Sequence, residues 1–139
     1  MPFEKLSTEN STEFAERFGS FEDGVITGIR LHMPRGSAAA RVATFDIQAV
    51  DLTAGSEWRL VQIAIGGIFE YQLTCSQRQT YFVLSDGLKM DFTPGRFVLD
   101  LDPGPDEWRP EQVAERGIYS KQYAIGTWFE YEVLKGPFI

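Results

Sequence analysis

The chain has 139 residues, a length that fits one domain with a self-sufficient hydrophobic core. Its 20 acidic and 13 basic residues give a net charge of -7, which argues against binding to nucleic-acid phosphates or anionic membranes. Cys75 is the only cysteine, so no intramolecular disulfide can form. The N-terminus has no signal-peptide pattern, and no apolar stretch approaches the ~20 residues of a membrane span. These totals predict one acidic, cytoplasmic domain over residues 1–139.

The first predicted element is a short helix over residues 7–18. Phe14 and Phe18 have the spacing that places two side chains on one face of a helix. Ser11 or Thr8 is suited to cap its first turn, and a glycine follows the last residue as a stop signal. The pattern predicts an amphipathic helix that buries both phenylalanines.

From residue 24 onward, apolar residues recur at every second position, which is the period of strands with one buried face. Gly66-Gly67 interrupts this pattern and predicts a tight turn or a bulge. Asp86-Gly87 suits a two-residue turn and predicts a hairpin between the apolar runs on its two sides. The residues expected to face the core are Val25, Ile29, Leu31, Met33, Ala43, Phe45, Ile47, Ala49, Val61, Ile63, Ile65, Phe69, Tyr71, Leu73, Cys75, Leu88, Met90, Phe92, Phe97, Leu99, Leu101, Phe129, Tyr131 and Val133.

The number and spacing of these runs indicate the fold class. About eight strands follow one another with turn residues between them, which is typical of an antiparallel meander. No linker, internal repeat or low-complexity stretch divides the chain. We predict a mostly β domain that forms a sandwich or a partly closed barrel, with a short helix at its N-terminus.

The segment LDLDPGPDEW, residues 99–108, concentrates carboxylates in one short stretch. Numbered from Asp100, it resembles the calcium loop of an EF-hand, but Pro105 stands where that loop needs glycine. A simpler interpretation makes Asp100 and Asp102 the outward residues of a strand, which ends at Pro103. The segment therefore predicts a solvated acidic turn and no metal site.

The sequence holds no recognisable catalytic constellation. Cys75 and His32, the only residues of their types, are expected on opposite faces, with the cysteine in the apolar interior, where a thiol is inert. One histidine and one cysteine also cannot supply the ligands of a zinc site. Carboxylate pairs such as Glu130 and Glu132 remain as acid–base candidates, but such catalysis needs them in a cleft. We predict that the protein is not an enzyme, with no catalytic residue and no cofactor.

The three tryptophans are candidates for partner binding, because tryptophan is enriched at the hot spots of interfaces. Each lies at a strand start, in a loop or at an outward strand position. The alternative is that they pack beneath loops, the helix or a second subunit, since tryptophan is highly buried on average. The predicted partner-binding residues are Trp58, Trp108 and Trp128, together with Asp100, Asp102 and Asp106 of the acidic segment.

Three stretches share their layout with known proteins: Phe21, Asp23, Ile26 and Ile29 at the opening, Gly67, Phe69 and Tyr71 in the middle, and the turn Asp86-Gly87. This layout resembles a group of small bacterial β-rich proteins, most of them uncharacterised and some of them immunity proteins of toxin–immunity systems. It covers most of the chain, but it consists of hydrophobic spacing and turns. Openings of this kind often carry a histidine where this chain has Glu22. The resemblance implies no catalytic residue.

These observations predict a non-enzymatic interaction protein whose partner is another protein. Its acidic surface suits a basic partner, and the resemblance implies an immunity-type inhibitor of a basic toxin. The alternative is a small-ligand carrier, with an aromatic-lined cavity inside a β-barrel. Homodimerisation through an uncovered edge strand is compatible with either function.

Overall fold

The computed structural model describes residues 3–74, 82–105, 107–115 and 120–135. Two antiparallel β-sheets, of six and four strands, pack their inner faces on a common hydrophobic core, and they do not close into a barrel. The prediction of a mostly β fold is therefore confirmed, and of its two forms the structure shows the sandwich.

In the described ranges the chain forms ten strands and one α-helix. In chain order these are β1 (Glu4–Leu6), α1 (Ser11–Arg17), β2 (Gly24–His32), β3 (Val42–Asp51), β4 (Glu57–Gly66), β5 (Glu70–Gln72), β6 (Val83–Leu84), β7 (Lys89–Thr93), β8 (Arg96–Asp100), β9 (Tyr123–Gly126) and β10 (Trp128–Leu134). The larger sheet has the strand order β1-β10-β4-β3-β2-β6, and the smaller sheet has the order β5-β9-β8-β7.

The predicted alternation of side chains builds the interior. In β3 the buried apolar positions are Ala43, Phe45, Ile47 and Ala49, and the residues between them are only partly buried. Phe92 and Phe97 of the smaller sheet pack on Phe129 of β10, with ring centroids 5.2 and 5.4 Å away. The space between the sheets is thus filled by interlocking aromatic and branched side chains.

The two sheets are continuous at one corner, where β4 runs on into β5 and β9 runs on into β10. Gly67 has a φ of +65° there, and the backbone N–H of Thr127 donates to the carbonyl of Gly66 at 2.8 Å. A Cβ atom on Gly126 would collide with that same carbonyl oxygen. The bulge predicted at Gly66-Gly67 is therefore a bend that passes a two-stranded ribbon from one sheet to the other.

Replacing Gly126 with alanine should destabilise the protein by about 2 kcal/mol, because the new methyl group must displace backbone at this corner. Gly36→Ala is the matched control, since a Cβ on Gly36 meets no atom within 4 Å. We expect the control to change the free energy of unfolding by less than about 0.5 kcal/mol. Urea unfolding followed by circular dichroism measures both variants, and equal midpoints would show that the corner tolerates a side chain.

The hairpin predicted at Asp86-Gly87 is wrong. β6 pairs with β2 in the larger sheet, whereas β7 pairs with β8 in the smaller one. The turn itself exists, because the N–H of Gly87 donates to the carbonyl of Leu84 at 2.9 Å. It carries the chain between the sheets, and Pro94-Gly95 makes the hairpin of β7 and β8 instead. Turn residues identified a turn, but not the partners of its strands.

The predicted inward face of β2 is wrong in part, since a β-bulge between Ile26 and Gly28 shifts its register. Ile26 lies in the core in place of Val25, and beyond the bulge Ile29 packs against the core as predicted. Leu31, which was expected inside, is 43% exposed. A single extra residue therefore moved the first part of the strand to the other phase.

Phe69 and Tyr71 were also expected to face the core, and this prediction is wrong. Their side chains are 54% and 46% exposed, because β5 is a short edge strand that pairs only with β9. Cys75, predicted on the same face, lies outside the described residues.

The N-terminal helix is confirmed, although it is shorter than predicted. It begins after Asn10, so neither Ser11 nor Thr8 is the cap residue. Phe14 is buried and contacts the ring of Tyr131 of β10 at a centroid distance of 4.5 Å. The helix therefore covers the part of the larger sheet that the smaller sheet leaves open.

An ion pair ties α1 to the end of β3. The Nε and Nη2 atoms of Arg17 donate to the two carboxylate oxygens of Asp51 at 3.1 and 2.8 Å. The Asp51 side chain is fully buried, and its Oδ1 also accepts hydrogen bonds from Thr53. These hydrogen bonds, that from Arg17 foremost, lower the pKa of Asp51 from 3.8 to about 2.

Candidate functional site

The acidic segment is the first predicted site to place, and its central residue is buried. Asp100 is only 2% exposed, which corrects the prediction that it is a solvated, partner-facing carboxylate. Its oxygens accept hydrogen bonds from Ser120 Oγ at 2.7 Å, from Trp108 Nε1 at 2.8 Å and from the N–H of Asp102 at 2.9 Å. Burial raises the pKa of Asp100, and these hydrogen bonds oppose the rise without cancelling it.

A second, smaller core explains this burial. Asp100 does point away from the main core, as its strand phase predicted, but the described residues 107–115 pack over that outer face. Trp108 and Val113 pack there against Val98 and Ile125. Trp108 is therefore a structural side chain that covers the smaller sheet, and it does not present a free ring to a partner.

The other carboxylates of the segment complete its placement. Asp102 is half-buried, and its Oδ2 accepts the N–H of Lys121 at 3.0 Å. Asp106 lies outside the described residues. Asp100 and Asp102 are thus both engaged in hydrogen bonds within the chain. The surface that is open to a partner lies elsewhere.

The outward side of the larger sheet is that surface, and we name it the open face. No described helix or strand packs across it, since α1 and the smaller sheet both lie on the inner side. Its residues follow from the strand register. From one end to the other they are Val50 and Trp58; Leu134, Leu60, Gln48 and Val25; Glu132, Gln62 and Asp46; Lys5, Glu130, Ala64, Thr44 and Arg30; and Trp128, Val42 and His32.

Carboxylates occupy the middle of the open face. Asp46 accepts hydrogen bonds from Gln62 Nε2 at 3.0 Å and from Arg30 Nη1 at 2.9 Å. Glu132 lies opposite Gln62 on the neighbouring strand, and Glu130 comes next on its own strand. Three carboxylates therefore stand in the centre, with Arg30 on one side and Lys5, opposite Glu130, on the other, so this region keeps a small excess of negative charge.

Trp58 marks one end of the open face, and it is the most exposed of the three tryptophans at 46%. Beside it lies an open cleft of about 720 Å³ lined by Val25, Gln48, Glu57 and Arg59. The Nε2 group of Gln48 is buried and finds no acceptor among the described residues. A buried donor without an acceptor costs free energy, which an incoming acceptor would recover.

Trp128 marks the other end, where it is half-buried. Its ring lies over Gly66, which has no Cβ to obstruct it. Because Trp58 and Gly66 stand near opposite ends of β4, Trp58 and the position over which the Trp128 ring lies are about 26 Å apart along the strand. Two of the three predicted tryptophans are therefore brought to one face, and the third is not.

Possible metal ligands and the single histidine remain to be placed. The described residues contain no group of three or more histidine, cysteine, aspartate or glutamate side chains placed to hold a metal ion. His32 stands exposed at the end of β2, on the open face. No helix in the described ranges combines the length and apolar character that crossing a membrane requires.

The open face was not predicted as one surface, although the alternation of residues within each strand indicated its parts. The outward positions of β3, β4 and β10 can be read from alternation, but their assembly into one surface depends on strand order. Comparison with known proteins adds no assignment: no family model, no curated protein and no solved structure matches this chain.

Proposed function

We propose that the protein is a non-enzymatic interaction protein, which binds a basic protein partner through the open face. The observation that carries this proposal is the contrast between the two sheets. The outer side of the smaller sheet is covered by the chain's own loop, whereas the larger sheet leaves Trp58 exposed beside a cleft. Exposed aromatic side chains next to apolar residues are typical of interface centres.

The charges of the open face support a basic partner. The central carboxylates give it a negative potential, and the whole chain carries a net charge of -7. A complementary positive partner would associate faster and in a fixed register, since electrostatics steers encounter and disfavours wrong partners. Trp58, with the half-buried Val25 beside it, would supply most of the affinity, because exposed ion pairs contribute little.

The resemblance to immunity proteins suggests a narrower form of this function. In that form the partner is a basic toxin, and the open face covers the toxin surface that must be free for its activity. The carrier alternative depends on a cavity inside a barrel, whereas here the inner faces of two separate sheets are filled by residues such as Phe45 and Phe129, both fully buried. We therefore favour the interaction protein.

Trp58→Ala should weaken binding of the partner by about 2 kcal/mol, or about thirtyfold, as expected for a tryptophan that acts as an interface hot spot. The partner is first isolated with the unsubstituted chain from the source cells, and calorimetry then compares the two chains. The free energy of unfolding should change little, since Trp58 is 46% exposed and is not a member of the hydrophobic core.

Phe69→Ala is the matched control, because Phe69 is exposed to a similar extent but immediately precedes β5 of the other sheet. It should leave the affinity unchanged. Equal affinities for the Trp58→Ala variant and the unsubstituted chain would contradict the proposed use of the open face.

A further inference from the structure

A second recess lies on the other side of the larger sheet, between α1 and β7. Both elements pack on β10: Phe92 of β7 contacts Phe129 at 5.2 Å between ring centroids, and Phe14 of α1 contacts Tyr131 at 4.5 Å. The recess between them has a volume of about 370 Å³. We name it the α1–β7 groove, and its apolar lining is Phe14, Ala15, Phe21, Leu88, Met90 and Phe92.

The groove is bordered by the free edge of a sheet. β7 is the last strand of the smaller sheet, and its other edge pairs with β8 through the two-residue turn Pro94-Gly95. In a hairpin with a two-residue turn, the residues that flank the turn, here Thr93 and Arg96, form a hydrogen-bonded pair. From there toward the N-terminus of β7, every second residue bonds to β8 and the residues between them do not. The backbone N–H and C=O groups of Met90 and Phe92 therefore point away from β8, and no described residue pairs with them.

The chain itself begins a pairing along this edge. The N–H of Leu88, which has the same phase as Met90, donates to the carbonyl of Ser20 at 3.2 Å. Ser20 and Phe21 hold left-handed backbone conformations, with φ of 57° and 62°, which side-chain-bearing residues rarely adopt. The turn thus directs the carbonyl of Ser20 to Leu88, the first residue along the edge. Met90 and Phe92, the next two residues of the same phase, keep their backbone groups unpaired among the described residues.

The shape of the groove selects its occupant. α1 lines the side opposite β7. An occupant therefore lies between a helix and one strand edge, which suits a single extended segment better than the two adjacent strands that a second copy of the chain would bring. A purely apolar small molecule would leave the backbone donors of Met90 and Phe92 unpaired. Glu16 lines the α1 side of the groove and forms no ion pair with a described basic residue, while Lys89 lines the β7 side. A positive charge of the occupant is therefore favoured only on the α1 side, beside Glu16.

We propose that the α1–β7 groove binds one extended peptide segment, apolar at alternate positions and basic beside Glu16, which adds antiparallel to β7 as an additional strand. This is strand addition to a sheet edge, in which main-chain hydrogen bonds give affinity and alternate side-chain pockets give specificity. The groove lies on the inner side of the larger sheet, so this site is independent of the open face.

Selection from a displayed library of random peptides of about six residues, the usual length of a strand, tests the proposal. The bait is the full chain. The Ala15→Trp variant places a large side chain in the groove, and the Glu13→Trp variant, which carries the same substitution on the exposed side of the same helix, is the matched control. We expect enriched peptides with apolar residues at alternate positions and one basic residue. The Ala15→Trp variant should lose them, and the Glu13→Trp variant should keep them.

A pair of methylated peptides completes the test without any change to the protein. In an antiparallel pair, residues opposite Met90 and Phe92 share their face and bond to them. N-methylation of the apolar residues should therefore weaken binding by about tenfold or more, whereas N-methylation of the residues between them should not. Absence of enrichment, equal binding to the Ala15→Trp variant, or equal effects of both methylations would overturn the proposal. A dimer of the unsubstituted chain that Ala15→Trp dissociates would do so too, by assigning the groove to a second copy.

Discussion

An Asp100→Ala variant is expected to lose about 3 kcal/mol of stability, because the substitution removes the acceptor of three donors at once. Trp108 Nε1 would be left without its acceptor beneath the loop, whereas Ser120 Oγ would lose Asp100 and keep only the carbonyl of Gln122. The loop should then lift from the smaller sheet, and tryptophan emission should shift to longer wavelength as Trp108 enters water. Urea unfolding followed by fluorescence measures both effects.

Glu107→Ala is the control, since it removes a carboxylate from the same loop at an exposed position. We expect Glu107→Ala to change the free energy of unfolding by less than about 0.5 kcal/mol. Because burial raises the folded-state pKa of Asp100 above 3.8, its stabilising contribution is greatest below that pH and declines as the pH rises through the folded pKa. The stability gap between the unsubstituted chain and the Asp100→Ala variant should therefore widen on acidification. A gap that narrows would contradict burial as the main cause of the shift.

Arg17→Leu should also cost about 3 kcal/mol, because it leaves the fully buried carboxylate of Asp51 without its ion-pair partner. Arg17 itself is partly exposed, so the value lies at the lower end for such pairs. Arg17→Lys keeps the charge but not the two parallel hydrogen bonds, and we expect an intermediate loss. Urea unfolding at neutral pH measures the free energy of unfolding, which should decrease from the unsubstituted chain to the Arg17→Lys variant and again to the Arg17→Leu variant.

The pH dependence of this pair has the opposite sign to that of Asp100. The folded pKa of Asp51 lies at about 2, below the unfolded value of 3.8, so its contribution is complete above 3.8 and is lost as the pH falls through about 2. The gap between the unsubstituted chain and the Arg17→Leu variant should therefore narrow on acidification. A gap that is constant down to pH about 2 would show that the lost stability is packing and not charge.

Local patterns predicted those parts of the fold that depend on one strand at a time. The alternation in β3 and β10 identified Phe45 and Phe129 as core residues, and the phenylalanine spacing identified α1. The same patterns could not reveal the bulge after Ile26, since one extra residue leaves no mark on composition. They also could not choose the partner of β6, because pairing across sheets is set by the whole topology.

In the candidate site, too, the pattern of a single strand was predictable, whereas contacts between distant parts of the chain were not. The outward phase of Asp100 was predicted correctly, but its burial depends on a loop that returns over the strand from eight to twenty residues away, at Trp108 and Ser120. Alternation predicts the face of a residue, and it cannot predict what later covers that face. The open face was within reach of the sequence strand by strand. Its extent became visible only from the order of β10, β4, β3 and β2.

The most direct measurement on the proposed function is site-specific photo-crosslinking in the source cells. A benzophenone amino acid replaces Trp58 in one variant and Phe69 in the other, two positions of similar exposure on different sheets. The account predicts that the probe at position 58 crosslinks to one basic polypeptide, and that the probe at position 69 does not. Capture of that polypeptide only from position 69, or of no polypeptide from position 58, would contradict the assignment of the open face as the interface.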